Sequence, residues 1–121
     1  MYELVYKTHF AAAHNLREYE GNCENLHGHN WKIDVAVRSE QLDYLGMVID
    51  FRDVKRMVGG IIDALDHHYL NDVEPFTKIN PTTENIARFI FDELAKQLPA
   101  GAVVSGVTAW ESDNCGVTYS G

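Results

Sequence analysis

Residues 31–38 read W-K-I-D-V-A-V-R, and this short stretch decides the fold class. Trp31, Ile33, Val35 and Val37 alternate with Lys32, Asp34, Ala36 and Arg38. A period of two with one polar face describes an antiparallel strand that is buried on one side only. Toward the N-terminus, Tyr2 to Phe10 is rich in Tyr, Val, Thr and Phe and reads as a second strand. Toward the C-terminus the period changes. Asp50 caps a helix whose apolar positions are Phe51, Val54, Met57, Val58, Ile61, Ile62 and Leu65, with Gly59-Gly60 weakening it. Pro81-Thr82-Thr83-Glu84 opens a second helix carrying Ile86, Phe89, Ile90, Leu94 and Leu98, which stops at Pro99-Ala100-Gly101. Two strands close the sequence, about Val103 to Glu111 and Cys115 to Tyr119, with Ser112-Asp113-Asn114 as the turn. The order ββααββ predicts an α+β domain with both helices on one face of an antiparallel sheet.

The protein has 121 residues, with 10 Lys and Arg against 18 Asp and Glu, for a formal net charge of −8. That length fits one domain, residues 1–121, with a core sufficient to hold it without staples. Repeats and low-complexity segments are absent from the sequence. An acidic balance argues against a nucleic-acid partner, since phosphate backbones are held by Lys and Arg stripes. It does not exclude a small anionic substrate, because one basic or metal-lined pocket overrides a negative global field. The N-terminal residues lack the apolar run of a signal peptide, and no apolar stretch approaches bilayer-spanning length. The expectation is a soluble, cytoplasmic protein with no membrane partner. Two cysteines, Cys23 and Cys115, are too few for a disulfide framework, although a single bridge stays open.

Six histidines in so short a sequence raise the question of a metal. His27-Gly28-His29 precedes the 31–38 strand, and in an extended backbone both imidazoles point to one face. His14 lies just beyond the end of the first strand. Antiparallel pairing brings that end beside the start of the second strand, so three imidazoles converge. Three neutral nitrogen ligands with an open fourth position describe a catalytic zinc site. Two other readings stand beside it: a polar turn with His14 at the surface, and a closed structural site with Cys23 as fourth ligand.

Further residues carry chemistry only in context. Cys23 is either a thiolate base near a cation or a small packed side chain. Asp66 beside His67 either orients an imidazole for proton transfer or belongs to an ordinary helix end. Thr82, Thr83 and Glu84 cap a helix, and a helix start also offers groups to a polar ring. Glu111 is a solvated strand end or an acceptor for the paired donors of a guanidine-like group. His9, His68, Trp31 and Trp110 read as structural, and Cys115 as packed in the terminal hairpin.

The ordered set of motifs resembles the 6-pyruvoyl-tetrahydropterin synthase family over essentially the whole sequence. The matching residues are F-A-A-A-H at 10–14, C-E-N-L-H-G-H-N at 23–30, V-I-D-F at 48–51, L-D-H-H-Y-L-N at 65–71, P-T-T-E-N at 81–85, and Glu111. The resemblance implies that His14, His27 and His29 bind Zn2+, that Cys23 is the catalytic thiol, and that Asp66 and His67 form its proton relay. It implies that Glu111 anchors the aminopyrimidine edge of a pterin, with Thr82, Thr83 and Glu84 near the ring. It also implies the tunnelling fold, in which ββααββ subunits assemble into barrels, usually hexamers built from trimers, with sites between subunits. An edge strand satisfied by a neighbouring copy suits a short protein with a half-exposed sheet.

The short C-x3-H-G-H spacing is similar to the carboxy-forming branch of queuosine biosynthesis, whereas the animal pyruvoyl-forming enzymes carry a longer insert there. A folate-related branch brings a glutamate near the thiol position; here Glu24 adjoins Cys23, but the cysteine is retained. This implies 7,8-dihydroneopterin triphosphate as substrate and 6-carboxy-5,6,7,8-tetrahydropterin, acetaldehyde and triphosphate as products. Pyruvoyl-forming activity and a non-catalytic zinc module are the alternatives; a zinc hydrolase lacks support from any H-E-x-x-H helix. Arg17, Lys32 and Lys78 are candidates for contacts with the triphosphate.

Overall fold

The structure is a computed structural model that describes residues 1–21 and 24–121. Its elements are β1 (Tyr2–His14), β2 (His27–Ser39), α1 (Phe51–Asp63), a short 3-10 turn (Leu70–Asp72), α2 (Thr83–Ala95), β3 (Val103–Trp110) and β4 (Gly116–Tyr119). The strands form one antiparallel sheet in the order β1-β2-β3-β4. The expected ββααββ order is therefore the one adopted.

Alternation decides which face is covered. Trp31, Ile33, Val35 and Val37 have no accessible surface. Burying each contributes about 1.5–3 kcal/mol. They lie under Val54, Val58, Ile61 and Ile62 of α1 and Ile86, Ile90 and Leu94 of α2, all in one hydrophobic cluster. A bulge opposite Ala36 and Val37 inserts Ser105, so Val104 and Val107 both face the core despite their odd spacing. The caps read from sequence are present. Asp50 accepts from the Arg52 amide, and Thr82 accepts from the Asn85 amide.

The ends of the elements differ from expectation in ways that matter for the site. β1 continues four residues past Phe10, with Ala11, Ala12, Ala13 and His14 paired to Asn30, His29, Gly28 and His27. Alanine has little strand preference, and the ladder itself supplies the order. His14 is thus the last residue of the strand and not a residue beyond it. α2 ends at Ala95 and β3 at Trp110, so Leu98 and Glu111 lie just outside their elements. Cys115 is exposed, not packed: it sits in the tight β3–β4 turn, whose backbone closes by Glu111 N–H donating to its carbonyl at 3.0 Å.

Residues 66–69, a helix end by sequence pattern, run along the outer edge of β1. His67 N–H donates to Ala11 O at 2.6 Å and Ala13 N–H to His68 O at 3.1 Å, with Ala13 and Tyr69 bridged in parallel. Two reciprocal asparagine pairs extend this seam. Asn15 N–H donates to Asn71 Oδ1 (3.0 Å) while Asn71 Nδ2 donates to Asn15 O (2.9 Å). Arg17 N–H donates to Asn80 Oδ1 (2.8 Å) while Asn80 Nδ2 donates to Arg17 O (3.1 Å). The Arg17 guanidinium donates to the carbonyls of Asn71, Phe76 and Ile79, which ties it to this loop by three hydrogen bonds. Lys32 pairs with Asp113 at 2.8 Å on the helix-free face, the opposite side from the histidines.

Candidate metal centre and its surroundings

The register that pairs His14 with His27 also places His29 two residues along the same face. The three rings contact one another edge-on, with centroids 4.6 Å (His14–His27), 5.1 Å (His14–His29) and 4.7 Å (His27–His29) apart. His14 is buried, and the buried Trp31 ring packs edge-on against both His14 (5.1 Å) and His29 (5.3 Å). Trp31 is therefore the rigid floor of the cluster, a role its place in the strand pattern did not disclose.

The hydrogen bonds fix two tautomers. His14 Nδ1 lies 2.8 Å from Pro81 O, and His27 Nδ1 lies 2.9 Å from Asn25 O. A carbonyl only accepts, so both Nδ1 atoms donate, and in the neutral rings both Nε2 atoms carry lone pairs. Those two Nε2 atoms face each other at 3.1 Å. Opposed lone pairs at that distance repel unless a cation or a proton lies between them. Outer nitrogens held by backbone carbonyls, with inner ones free, are what metal-binding imidazoles require. His29 Nε2 is buried, and among the described residues it has no hydrogen-bond partner. Burial, chiefly, pushes the His29 imidazole below its ordinary pKa, with His14 and His27 adding to the effect and Glu111 opposing it. The donor set fits a divalent cation such as zinc.

Glu111 completes the cluster. Ligand atoms of His14, His27, His29 and Glu111 all lie within 4.8 Å of one another. Glu111 Oε1 is 3.2 Å from His29 Nε2, close enough for charge attraction though off the line of a hydrogen bond. Its other oxygen, Oε2, accepts from the Thr83 hydroxyl at 3.1 Å, which ties the β3 end to the α2 N-terminus. Thr82 is committed to its cap. Glu84 is exposed in the first helical turn, where its charge favours the helix dipole.

Asp66 and His67 form a second group. Asp66 Oδ1 lies 3.0 Å from His67 Nδ1 and accepts from Ala11 N–H at 3.0 Å. The amide, with the imidazole's help, holds this carboxyl below the ordinary carboxylate pKa. His67 is exposed and takes a left-handed backbone (φ 59°), unusual for a residue with a Cβ. An open cleft of about 500 Å³ is lined by Ala13, Gly28, His29, Asn30, His67 and Tyr69, so His67 borders the paired ends of β1 and β2. Cys23, the candidate thiol and the alternative fourth ligand, lies outside the described residues. Reasoning from sequence missed Pro81 O, Asn25 O and the asparagine seam; none of these has a local sequence signature.

The sequence pattern of the 6-pyruvoyl tetrahydropterin synthase family matches residues 3–121. Dihydroneopterin monophosphate aldolase of Pyrococcus furiosus is 37% identical over 114 residues, covering 94% of this protein and 93% of that one. Human 6-pyruvoyl tetrahydrobiopterin synthase is 40% identical over 121 residues, covering 97% and 82%. The 6-carboxy-5,6,7,8-tetrahydropterin synthase of Synechocystis is 40% identical over 97 residues, covering 75% and 74%. In three dimensions, 6-pyruvoyl tetrahydropterin synthase of Caenorhabditis elegans superposes with a TM-score of 0.88 at 30% identity, over 99% of this protein and 95% of that one. With a tunnelling-fold subunit, a match over nearly its whole length and relatives at 37–40% identity, the protein belongs to the 6-pyruvoyl tetrahydropterin synthase family.

Proposed function

We propose that this protein is a zinc-dependent 6-carboxy-5,6,7,8-tetrahydropterin synthase of queuosine biosynthesis, acting on 7,8-dihydroneopterin triphosphate. The observation that carries the zinc reading is the pair of opposed Nε2 lone pairs of His14 and His27, 3.1 Å apart beside His29. The short C-x3-H-G-H spacing and the relative from Synechocystis favour the carboxy-forming branch. When bound, zinc supplies Lewis-acid polarisation of the substrate's hydroxyls.

The protein's own residues do the remaining work. Glu111 accepts the paired N–H donors of the aminopyrimidine edge, and Thr83 orients that carboxylate. Thr82 and Glu84, in the same helix start, border the ring. Fixing the ring in this way sets the substrate's hydroxylated arm over the three imidazoles, which is a positioning contribution. Cys23, as thiolate, removes a proton from the carbon next to the ring, which begins internal redox transfer from arm to ring. His67, held by Asp66, carries protons during loss of triphosphate and cleavage between the first two carbons of the arm. Substrate plus one water balances as carboxytetrahydropterin, acetaldehyde and triphosphate. The protein acts as a homo-oligomer, a hexamer of paired trimers in the cytoplasm, in which neighbouring copies complete each site.

Incubation of zinc-loaded protein with 7,8-dihydroneopterin triphosphate, followed by mass-spectrometric product identification, tests the reaction. The expected products are 6-carboxy-5,6,7,8-tetrahydropterin and acetaldehyde. A pyruvoyl pterin, or an aldol-cleavage product as the P. furiosus relative's name suggests, overturns the branch assignment. His27→Ala loses zinc by elemental analysis; an unchanged metal content sinks the ligand assignment.

A further inference from the structure

We propose that Glu111 is a fourth, exchangeable metal ligand, closing the three-histidine site of the free protein and leaving it when the pterin binds. This rests on the zinc-dependent reading above. In a tetrahedral zinc site with bonds of about 2.0–2.1 Å, neighbouring ligand atoms are about 3.3 Å apart. Two contacts already have nearly that length: His14 Nε2 to His27 Nε2 at 3.1 Å, and His29 Nε2 to Glu111 Oε1 at 3.2 Å. These two pairs share no atom, so they are opposite edges of one tetrahedron. The four remaining edges are all within 4.8 Å, so modest ring and carboxylate rotations draw the set together.

The surroundings aim this carboxylate at the imidazoles. Thr83 holds Oε2, leaving Oε1 toward the imidazoles. The backbone beneath is pinned by Glu111 N–H on the Cys115 carbonyl, so exchange needs only side-chain torsions. A carboxylate that accepts the paired donors of an aminopyrimidine turns both oxygens to the ring edge. Holding the ring in this way draws Oε1 off the metal. Ring binding therefore vacates one coordination position at the moment when the substrate hydroxyls arrive to fill it, and the free protein offers no open metal position to stray ligands.

The test uses protein substituted with Co2+, together with zinc affinity measured by chelator competition. Glu111→Gln is isosteric and lies in a half-exposed turn, and circular dichroism with thermal melting verifies its fold. The expected result is a shifted Co2+ visible spectrum in Glu111→Gln and zinc affinity weakened about tenfold or more. Pterin lacking any hydroxylated arm, added to saturation as judged by its own fluorescence, shifts the wild-type spectrum and leaves that of Glu111→Gln unmoved. Identical spectra and affinities for wild type and Glu111→Gln overturn the proposal, as does a wild-type spectrum indifferent to bound pterin. His27→Ala separates the two levels. If it too retains zinc, the metal reading itself fails; if it alone loses zinc, only the exchange fails.

Discussion

Replacing Thr83 by valine removes one hydroxyl and conserves shape. Thr83 is buried at 9% exposure, and its Oγ1 donates to Glu111 Oε2 at 3.1 Å. A hydrogen bond to a charged acceptor contributes about 1.5–3 kcal/mol. The Glu111 side chain is 36% exposed, so water replaces part of the lost donor. A net loss of about 1–1.5 kcal/mol remains, which corresponds to about 5–12-fold in substrate affinity. The α2 cap is made by Thr82, not Thr83, and valine fills the same volume, so the fold is retained. Steady-state kinetics with dihydroneopterin triphosphate, paired with direct pterin binding, reads the effect as a raised KM. Affinity within twofold of wild type, in a protein with unchanged melting, refutes the claim that Thr83 orients the ring-anchoring carboxylate.

Three other perturbations probe separate parts of the molecule. Cys23→Ala keeps its zinc yet loses turnover; wild-type-like turnover would falsify the role of the thiol. Asp66 has a depressed carboxyl pKa, so its charged form adds stability above the ordinary carboxylate range, and that stability is lost as pH falls through the lower folded value. Asp66→Asn is accordingly less stable than wild type near neutrality, and the gap in denaturant midpoint narrows as the pH falls below the ordinary carboxylate range; a gap that does not change with acidification contradicts this. Trp31→Ala empties a fully buried site and costs about 3–5 kcal/mol in urea unfolding, and an unchanged midpoint contradicts the packing described.

The parts of the fold legible in sequence are those governed by local period and local capping. The alternation from Trp31 to Val37 and the i, i+3, i+4 stripe from Val54 to Ile62 announce their elements because burial on one face writes directly into residue order. The caps at Asp50 and Thr82 are equally local. Ala11, Ala12 and Ala13 carry no such signal, and their strand exists because residues 28–30 pair with them. Asn71 and Asn80 are silent for the same reason, since each bonds a backbone more than fifty positions away. The histidine cluster is legible through strand direction alone. The approach of Glu111 to it is not, because that depends on the register of β3 on β2, which includes a bulge. The exposure of Cys115 follows from the tightness of a turn that composition does not reveal.

The pairing of His14 with His27 has a consequence for how the polypeptide reaches its native state. The connection between β1 and β2 is long, so it does not dictate how the two strands align. A slip of one residue turns His27 and His29 to the opposite face, away from His14, and the donor set disappears. Under the proposed zinc reading, only the correctly aligned hairpin would bind the ion, and any ligand that binds one alignment alone shifts the population toward it. A bound ion would then act as a proofreader of strand alignment, and metal retained through purification would certify that the first two strands have assembled in register.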